Sequence, residues 1–249
     1  MAKIGMFDSG AGGLSVLREA LKALPGEEFI YFCDNAYCPY GDKSAEYVLG
    51  RARSITEELL SRGAQAIVVA CNTATAAAIA DLRATYPVPF IGMEPAVKPA
   101  ALGTKSGVIG VLATAGTLKA SKYLDTRGRF EDSVKIIEHV GRGYVELVES
   151  LELEGAHARE VVAASLEPLL ESGADTIVLG CTHYPFLLPL MKEIAGGRDV
   201  TFIDPAPAVV RRLSDVLDAA GIPRGGTGGG VELLSSGSDT VLRKLFVNL

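Results

Sequence analysis

The stretch Glu57-Glu58-Leu59-Leu60-Ser61-Arg62-Gly63-Ala64-Gln65-Ala66-Ile67-Val68-Val69-Ala70-Cys71 recurs as Glu167-Pro168-Leu169-Leu170-Glu171-Ser172-Gly173-Ala174-Asp175-Thr176-Ile177-Val178-Leu179-Gly180-Cys181. The offset is a constant 110 residues, and eight of the fifteen positions are identical. Each copy reads as a helix–strand unit with a cysteine at the strand's end. Convergence of helix–strand units explains repeated Ile, Val and Ala, but not a cysteine in the same place twice. A second match pairs Ile4-Gly5-Met6-Phe7-Asp8-Ser9 with Ile109-Gly110-Val111-Leu112-Ala113-Thr114 at an offset of 105. Two related α/β lobes of roughly 100 residues each explain both offsets.

Outward from these repeats, Lys3–Phe7, Glu28–Phe32, Val88–Ile91, Ser106–Leu112, Val134–Glu138 and Val200–Ile203 read as further buried strands. Ala45–Arg62, Ala74–Thr85, Thr117–Thr126 and Ala158–Ser172 have helical length and patterning. Such alternation predicts parallel sheets with helices on both faces. Pro87, Pro89, Pro95 and Pro99 mark a crossing between lobes, and Pro205 and Pro207 the return. The expected fold is α/β, with two pseudo-symmetric, doubly wound parallel-sheet lobes and the active site in the cleft between them. The first lobe takes residues 1–93 and 208–249, the second residues 94–207. Gly221–Gly230 reads as an exposed loop. No Lys-Ser/Thr pair follows Gly225–Gly230, so a phosphate loop is not predicted there.

Composition narrows the function. The chain has 249 residues, 48% of them hydrophobic, which excludes disorder and a disulfide-stapled miniature fold. Its net charge of −6 argues against general nucleic-acid binding. No signal-peptide or membrane-spanning run is present, so a cytoplasmic protein with reduced thiols is expected. Cys33 and Cys38 have no nearby Cys/His pair, so no zinc site is expected.

The chemistry concentrates in Cys71-Asn72-Thr73 and Cys181-Thr182-His183. Both cysteines are expected at the carboxyl end of a strand and near a helix N-terminus, where ligands bind and thiolates are favoured. A lone cysteine there would be a small buried hydrophobe, but two in matching positions suit a nearly symmetric reaction. One thiolate removes a proton from one face of a carbon, and one thiol returns a proton to the other. Asp8 is placed to serve the Cys71 side and His183 the Cys181 side. His139 and His157 lack such neighbours and read as structural or surface residues. The glycine-rich segment Asp8-Ser9-Gly10-Ala11-Gly12-Gly13 fails the dinucleotide pattern, because Ser15 stands where the last glycine belongs. It reads as a turn whose N–H groups approach a carboxylate.

Taken in order, Asp8-Ser9-Gly10-x-Gly12-Gly13, Pro39-Tyr40-Gly41, Cys71-Asn72-Thr73 and Cys181-Thr182-His183 resemble the glutamate racemases of the aspartate/glutamate racemase superfamily. The resemblance runs from Ile4 almost to the carboxyl terminus. It implies cofactor-independent interconversion of L- and D-glutamate, supplying D-glutamate for bacterial peptidoglycan, with no metal. It also implies that Cys71 and Cys181 are the two bases. Substrate contacts carry over to Asp8, Ser9, Tyr40, Gly41, Asn72, Thr73, Thr114, Thr117, Thr182 and His183, and Glu149 matches an acid near the histidine. Members of the family often have Cys-Pro eight and seven residues before that acid, where this chain has Gly141-Arg142. Some relatives also carry a segment ahead of the first strand associated with activation by a cell-wall precursor, and such regulation is not expected here.

The substrate is thus expected to be glutamate, with no nucleic acid or membrane partner, and a homodimer is left open. An aspartate racemase would use the same chemistry with a different side-chain reach. A non-catalytic, two-lobed amino-acid-binding protein would tolerate loss of both thiols. A thiol-redox protein is disfavoured because no C-x-x-C occurs.

Overall fold

The computed structural model describes residues 1–226 and 228–249. Among them are nine strands: β1 (Lys3–Asp8), β2 (Glu28–Cys33), β3 (Ala66–Val69), β4 (Phe90–Ile91), β5 (Val108–Ala113), β6 (Lys135–Val140), β7 (Thr176–Gly180), β8 (Thr201–Ile203) and β9 (Val231–Ser235). The chain divides into one compact unit of Met1–Met93 with Ala206–Leu249 and another of Glu94–Pro205.

The first unit holds a sheet in the order β4-β3-β1-β2-β9, and the second holds β6-β5-β7-β8. All neighbouring strands are parallel. In each sheet the chain steps from a central strand to one side, then returns to the other. The order reverses between β1 and β3, and again between β5 and β7. Open α/β sheets bind ligands at that reversal, outside the carboxyl ends of the strands.

The two sequence offsets also describe the strand register. Ile4 pairs with Ala66 and Gly5 with Ile67, while Ile109 pairs with Thr176 and Gly110 with Ile177. Adding 105 to the first partner and 110 to the second converts one set into the other. The repeated Gly-Ala is a helix stop. Helices Ala45–Ser61 and Ala156–Glu171 are followed by left-handed Gly63 (φ 88°) and Gly173 (φ 85°). The Ala64 and Ala174 N–H groups then donate back to the Leu59 and Leu169 carbonyls.

Those leucines explain a further matched pair. A Cβ on Gly5 would lie 3.1 Å from Leu59 Cδ1, and one on Gly110 would lie 2.6 Å from Ile177 Cδ1 and 3.0 Å from Leu169 Cδ1. Glycine lets the helix close onto the central strand. Gly110→Ala is expected to cost about 1–3 kcal/mol through overpacking. Gly5→Ala should cost less, because its contacts are looser. Denaturant midpoints of the two variants check that order.

Asp175, at the entry to β7, fastens the turn before β5. It accepts from Thr104 Oγ1 (2.6 Å), the Lys105 and Ser106 N–H groups (2.7 Å each) and Thr176 Oγ1 (2.9 Å). Burial pushes its carboxyl up, but these donors prevail and hold it at about 2. A depressed carboxylate contributes stability above its unfolded pKa of about 3.9 and loses it as pH falls toward the folded value. Asp175→Asn should therefore lower stability by roughly 1–2 kcal/mol at neutral pH. The gap to the parent protein should narrow as pH falls from about 4 to about 2, which unfolding curves across that range measure.

Several local expectations need correction. The helix expected over Thr117–Thr126 is two pieces, Ala115–Leu118 and Ser121–Gly128, because Ala120 is extended (ψ 135°) and starts the second. The strand expected from Val88 begins only at Phe90, after Pro89, which lacks an N–H to join a ladder. The ninth strand lies against β2 and is short and half-exposed, so the sequence carries little apolar signal for it. The expected loop at Gly221–Gly230 includes Thr227, which lies outside the described residues. The rest of that segment forms neither helix nor strand.

Candidate active site

In the first unit, Asp8 ends β1 beside the reversal and is fully buried. Its Oδ1 accepts from the Ser9 N–H and its Oδ2 from the Gly13 N–H, both at 2.7 Å. A Cβ on Gly13 would lie 2.8 Å from both Asp8 Cβ and Tyr31 Oη, so the turn closes this tightly only with glycine. Tyr31 Oη donates to the Gly10 carbonyl (2.8 Å) and braces the turn from β2. Two of the turn's amides, expected to meet a substrate carboxylate, are thus engaged by Asp8. The turn presents an anion.

Cys71 follows β3 and is the N-cap of helix Asn72–Thr85, its Sγ accepting from the Ala74 N–H at 3.4 Å. The helix therefore starts at Asn72, two residues before the expected Ala74. This puts Asn72 and Thr73 in its first turn, at the helix end whose dipole favours negative charge. Cys71 Sγ lies 3.9 Å from Ser9 Oγ. Asn72 is 4% exposed, and neither its amide nitrogen nor its amide oxygen has a hydrogen-bond partner. A buried orphan amide costs about 1–3 kcal/mol, so this one, next in the chain to a buried thiol, has both a donor and an acceptor to offer a ligand.

Tyr40 is buried, and its hydroxyl donates to Asp34 Oδ2 at 2.5 Å. Burial, then the Asp34 carboxylate, pushes this phenol well above its ordinary range. The hydroxyl is thus committed, the ring is packed in a buried cluster, and the Tyr40 carbonyl accepts from the Lys43 N–H at 3.0 Å.

In the second unit, Cys181 follows β7, but it caps no α-helix. The chain enters a short 3-10 turn at Tyr184–Leu187, and the α-helix begins at Leu188. The helix start expected after Pro185 is thus found, but the 3-10 turn that contains Pro185 stands between it and Cys181 and distinguishes the second copy from the first. Cys181 Sγ instead lies 3.7 Å from His183 Nδ1. His183 is 1% exposed, and its Nε2 is 2.8 Å from Glu149 Oε1. The carboxylate fixes the ring and leaves Nδ1 to the thiol. Thr182 is buried between the two. Thr114, at the end of β5, caps the helix Ala115–Leu118, and its hydroxyl lies 2.9 Å from that of Thr117.

The Gly141-Arg142 departure has a steric basis. A Cβ on Gly141 would lie 2.5 Å from Tyr184 Oη, and the Tyr184 ring packs edge-on against Tyr144 at 4.9 Å. The aromatic pair occupies the space a larger residue 141 would need. Helix Tyr144–Glu149 then carries Glu149 at its last position. Of the other histidines, His157 is exposed and pairs with Glu152 at 2.9 Å, and His139 lies on β6.

Sequence reasoning missed Asp34 and Arg51. Asp34 is fully buried and receives two parallel bonds from Arg51, Nε to Oδ2 (2.9 Å) and Nη2 to Oδ1 (2.7 Å). Asp34 directly follows the last residue of β2, and an acid at a central strand's end in an open parallel sheet was the available signal.

Comparison with known proteins places this architecture. Residues 5–213 match the family model described as Asp/Glu/Hydantoin racemase. A glutamate racemase of Ectopseudomonas mendocina is 52% identical over 217 residues, covering 87% of this chain and 82% of that protein. One from Pseudomonas putida is 46% identical over 98% of this chain and 92% of its own length. Among solved structures, Escherichia coli glutamate racemase in complex with L-glutamate and the activator UDP-MurNAc-ala superposes with a TM-score of 0.87. It is 30% identical and covers 99% of this chain and 94% of its own, and isoform RacE1 of Bacillus anthracis superposes with a TM-score of 0.85 at 34% identity, covering 98% of this chain and 92% of its own. With its paired parallel-sheet units and its cysteine at the reversal of each, the chain belongs to the Asp/Glu/hydantoin racemase family.

Proposed function

We propose that this protein interconverts L- and D-glutamate by two-thiol proton exchange, without a cofactor. The observation that carries the reading is the equivalent placement of Cys71 after β3 and Cys181 after β7, each beside the strand-order reversal of its own sheet. In one direction, the Cys71 thiolate takes the Cα proton, breaking C–H and forming S–H. The Cys181 thiol then gives its proton to the opposite face of the planar intermediate and is left as thiolate. The reverse reaction starts from that second state. The reading requires one substrate carbon to meet both thiols.

Negative charge building on the substrate carboxylate is met by neutral donors, which stabilise it without fixing a thiolate permanently. The first-turn N–H groups at Asn72 and Thr73, the orphan Asn72 amide and the Thr73, Thr114, Thr117 and Thr182 hydroxyls supply them. Ser9 and the Tyr40-Gly41 backbone complete the contact set. Asp8 balances the ammonium and assists Cys71. His183, oriented by Glu149, assists Cys181. Glutamate is favoured over aspartate as substrate because the curated relatives are glutamate racemases. A cytoplasmic role supplying D-glutamate for peptidoglycan, and a homodimeric state, belong to the same reading.

Purified protein given L-glutamate alone should drive the optical rotation to zero, with the same endpoint from D-glutamate. L-aspartate in place of L-glutamate tests the aspartate alternative. Rotation that stays constant with glutamate would overturn the reading.

A further inference from the structure

The structure assigns a positioning role to the buried Asp34–Arg51 ion pair: it holds Tyr40 against Cys71 and so sets the first-lobe proton transfer. This rests on the two-thiol reading of the site. Asp34 has no solvent to stabilise its charge, and Arg51 meets both its oxygens in the planar fork that only a guanidinium offers. The other side of Arg51 is held as well, since its guanidinium carbon stacks 3.9 Å from the centre of the Tyr37 ring. The carboxylate thus fixed accepts the Tyr40 hydroxyl at 2.5 Å. Tyr40 and Cys71 belong to one buried cluster with Phe7, Val69 and Ala74. The chain of contacts therefore runs from helix Ala45–Ser61, which carries Arg51, through Asp34 just after β2, to the Tyr40 ring in the buried cluster that holds Cys71.

An ion pair needed only for folding would act on stability alone. A positioning pair acts unequally on the two thiols, because nothing in this chain of contacts belongs to the second unit. A misplacement of about 1 Å at a reacting group costs on the order of 10²-fold in rate. Arg51→Gln, which leaves Asp34 held by Tyr40 alone, should slow turnover at least about tenfold. Arg51→Lys, which keeps the charge but loses the fork, should fall between Arg51→Gln and the parent.

The deciding measurement is iodoacetamide alkylation at one fixed pH, with Cys71 and Cys181 quantified separately by peptide mass spectrometry. Arg51→Gln should speed labelling of Cys71 severalfold by loosening Tyr40, and leave Cys181 unchanged. Equal change at both cysteines, or none with only a lower Tm, would overturn the proposal. Should Arg51→Gln fail to fold, Arg51→Lys and Tyr40→Phe carry the same comparison. The labelling ratio does not depend on racemisation, so failure of the racemase reading would appear separately, as an inactive parent protein.

Discussion

Cys71→Ser and Cys181→Ser should each reduce racemisation by on the order of 10³-fold or more, while the protein stays folded. General acid–base groups contribute roughly 10²–10⁴-fold each, and inversion needs both a base and an acid on opposite faces of one carbon. A serine hydroxyl is far too weak an acid to stand as the alkoxide, so the altered side can neither take the proton nor be regenerated. The structure says why folding should survive. Cys71 caps its helix by accepting from the Ala74 N–H, a task serine performs well. Cys181 sits 3.7 Å from His183 Nδ1, and serine keeps a donor there. Optical rotation with each enantiomer, alongside thermal unfolding, gives both halves of the result. Full activity in either variant would end the two-thiol mechanism. Retained glutamate binding with no turnover separates a disabled enzyme from a pure binding protein, which would show no turnover before the substitution either.

The repeat was legible because its signals are local and physical. Gly63 and Gly173 are needed for left-handed helix stops, Gly5 and Gly110 for close helix packing, and the apolar runs for strands buried on both faces. Those constraints fixed the register that the offsets of 105 and 110 describe. Asp8, Thr114 and the two cysteines could be read as strand-end residues for the same reason. The Asp34–Arg51–Tyr40 network could not, because it joins a strand end, a loop and a helix through side chains that share no periodic pattern. Likewise, the fit of Gly141 under Tyr184 depends on residues 43 positions apart. The difference between the two cysteines was also hidden: Pro185 follows Cys181 closely, but only the fold shows that a 3-10 turn takes the place of the helix cap.

That difference bears on direction. Cys71 has a helix start and Asp8 in its unit, whereas Cys181 has a histidine held by a carboxylate. By resemblance to the family, Cys71 is expected to remove the proton of D-glutamate and Cys181 that of L-glutamate. His183→Asn should then slow removal from L-glutamate by about 10²-fold or more, the usual scale for a lost proton-handling group. Asp8→Asn should act mainly on D-glutamate. Both residues are also expected to touch substrate, so each variant loses some rate in the other direction, and the equilibrium between enantiomers cannot change. The informative observable is the isotope effect with substrate deuterated at Cα, measured separately for each enantiomer. Losing the helper makes that side's proton removal more rate-limiting and raises the effect on that side alone. Glu149→Gln provides the internal control: it keeps an acceptor for His183 Nε2–H but cannot support an imidazolium, so it should move the same side as His183→Asn by a smaller amount. Equal changes in both isotope effects for both helper variants would break the side-specific assignment, while leaving the two thiols as the bases.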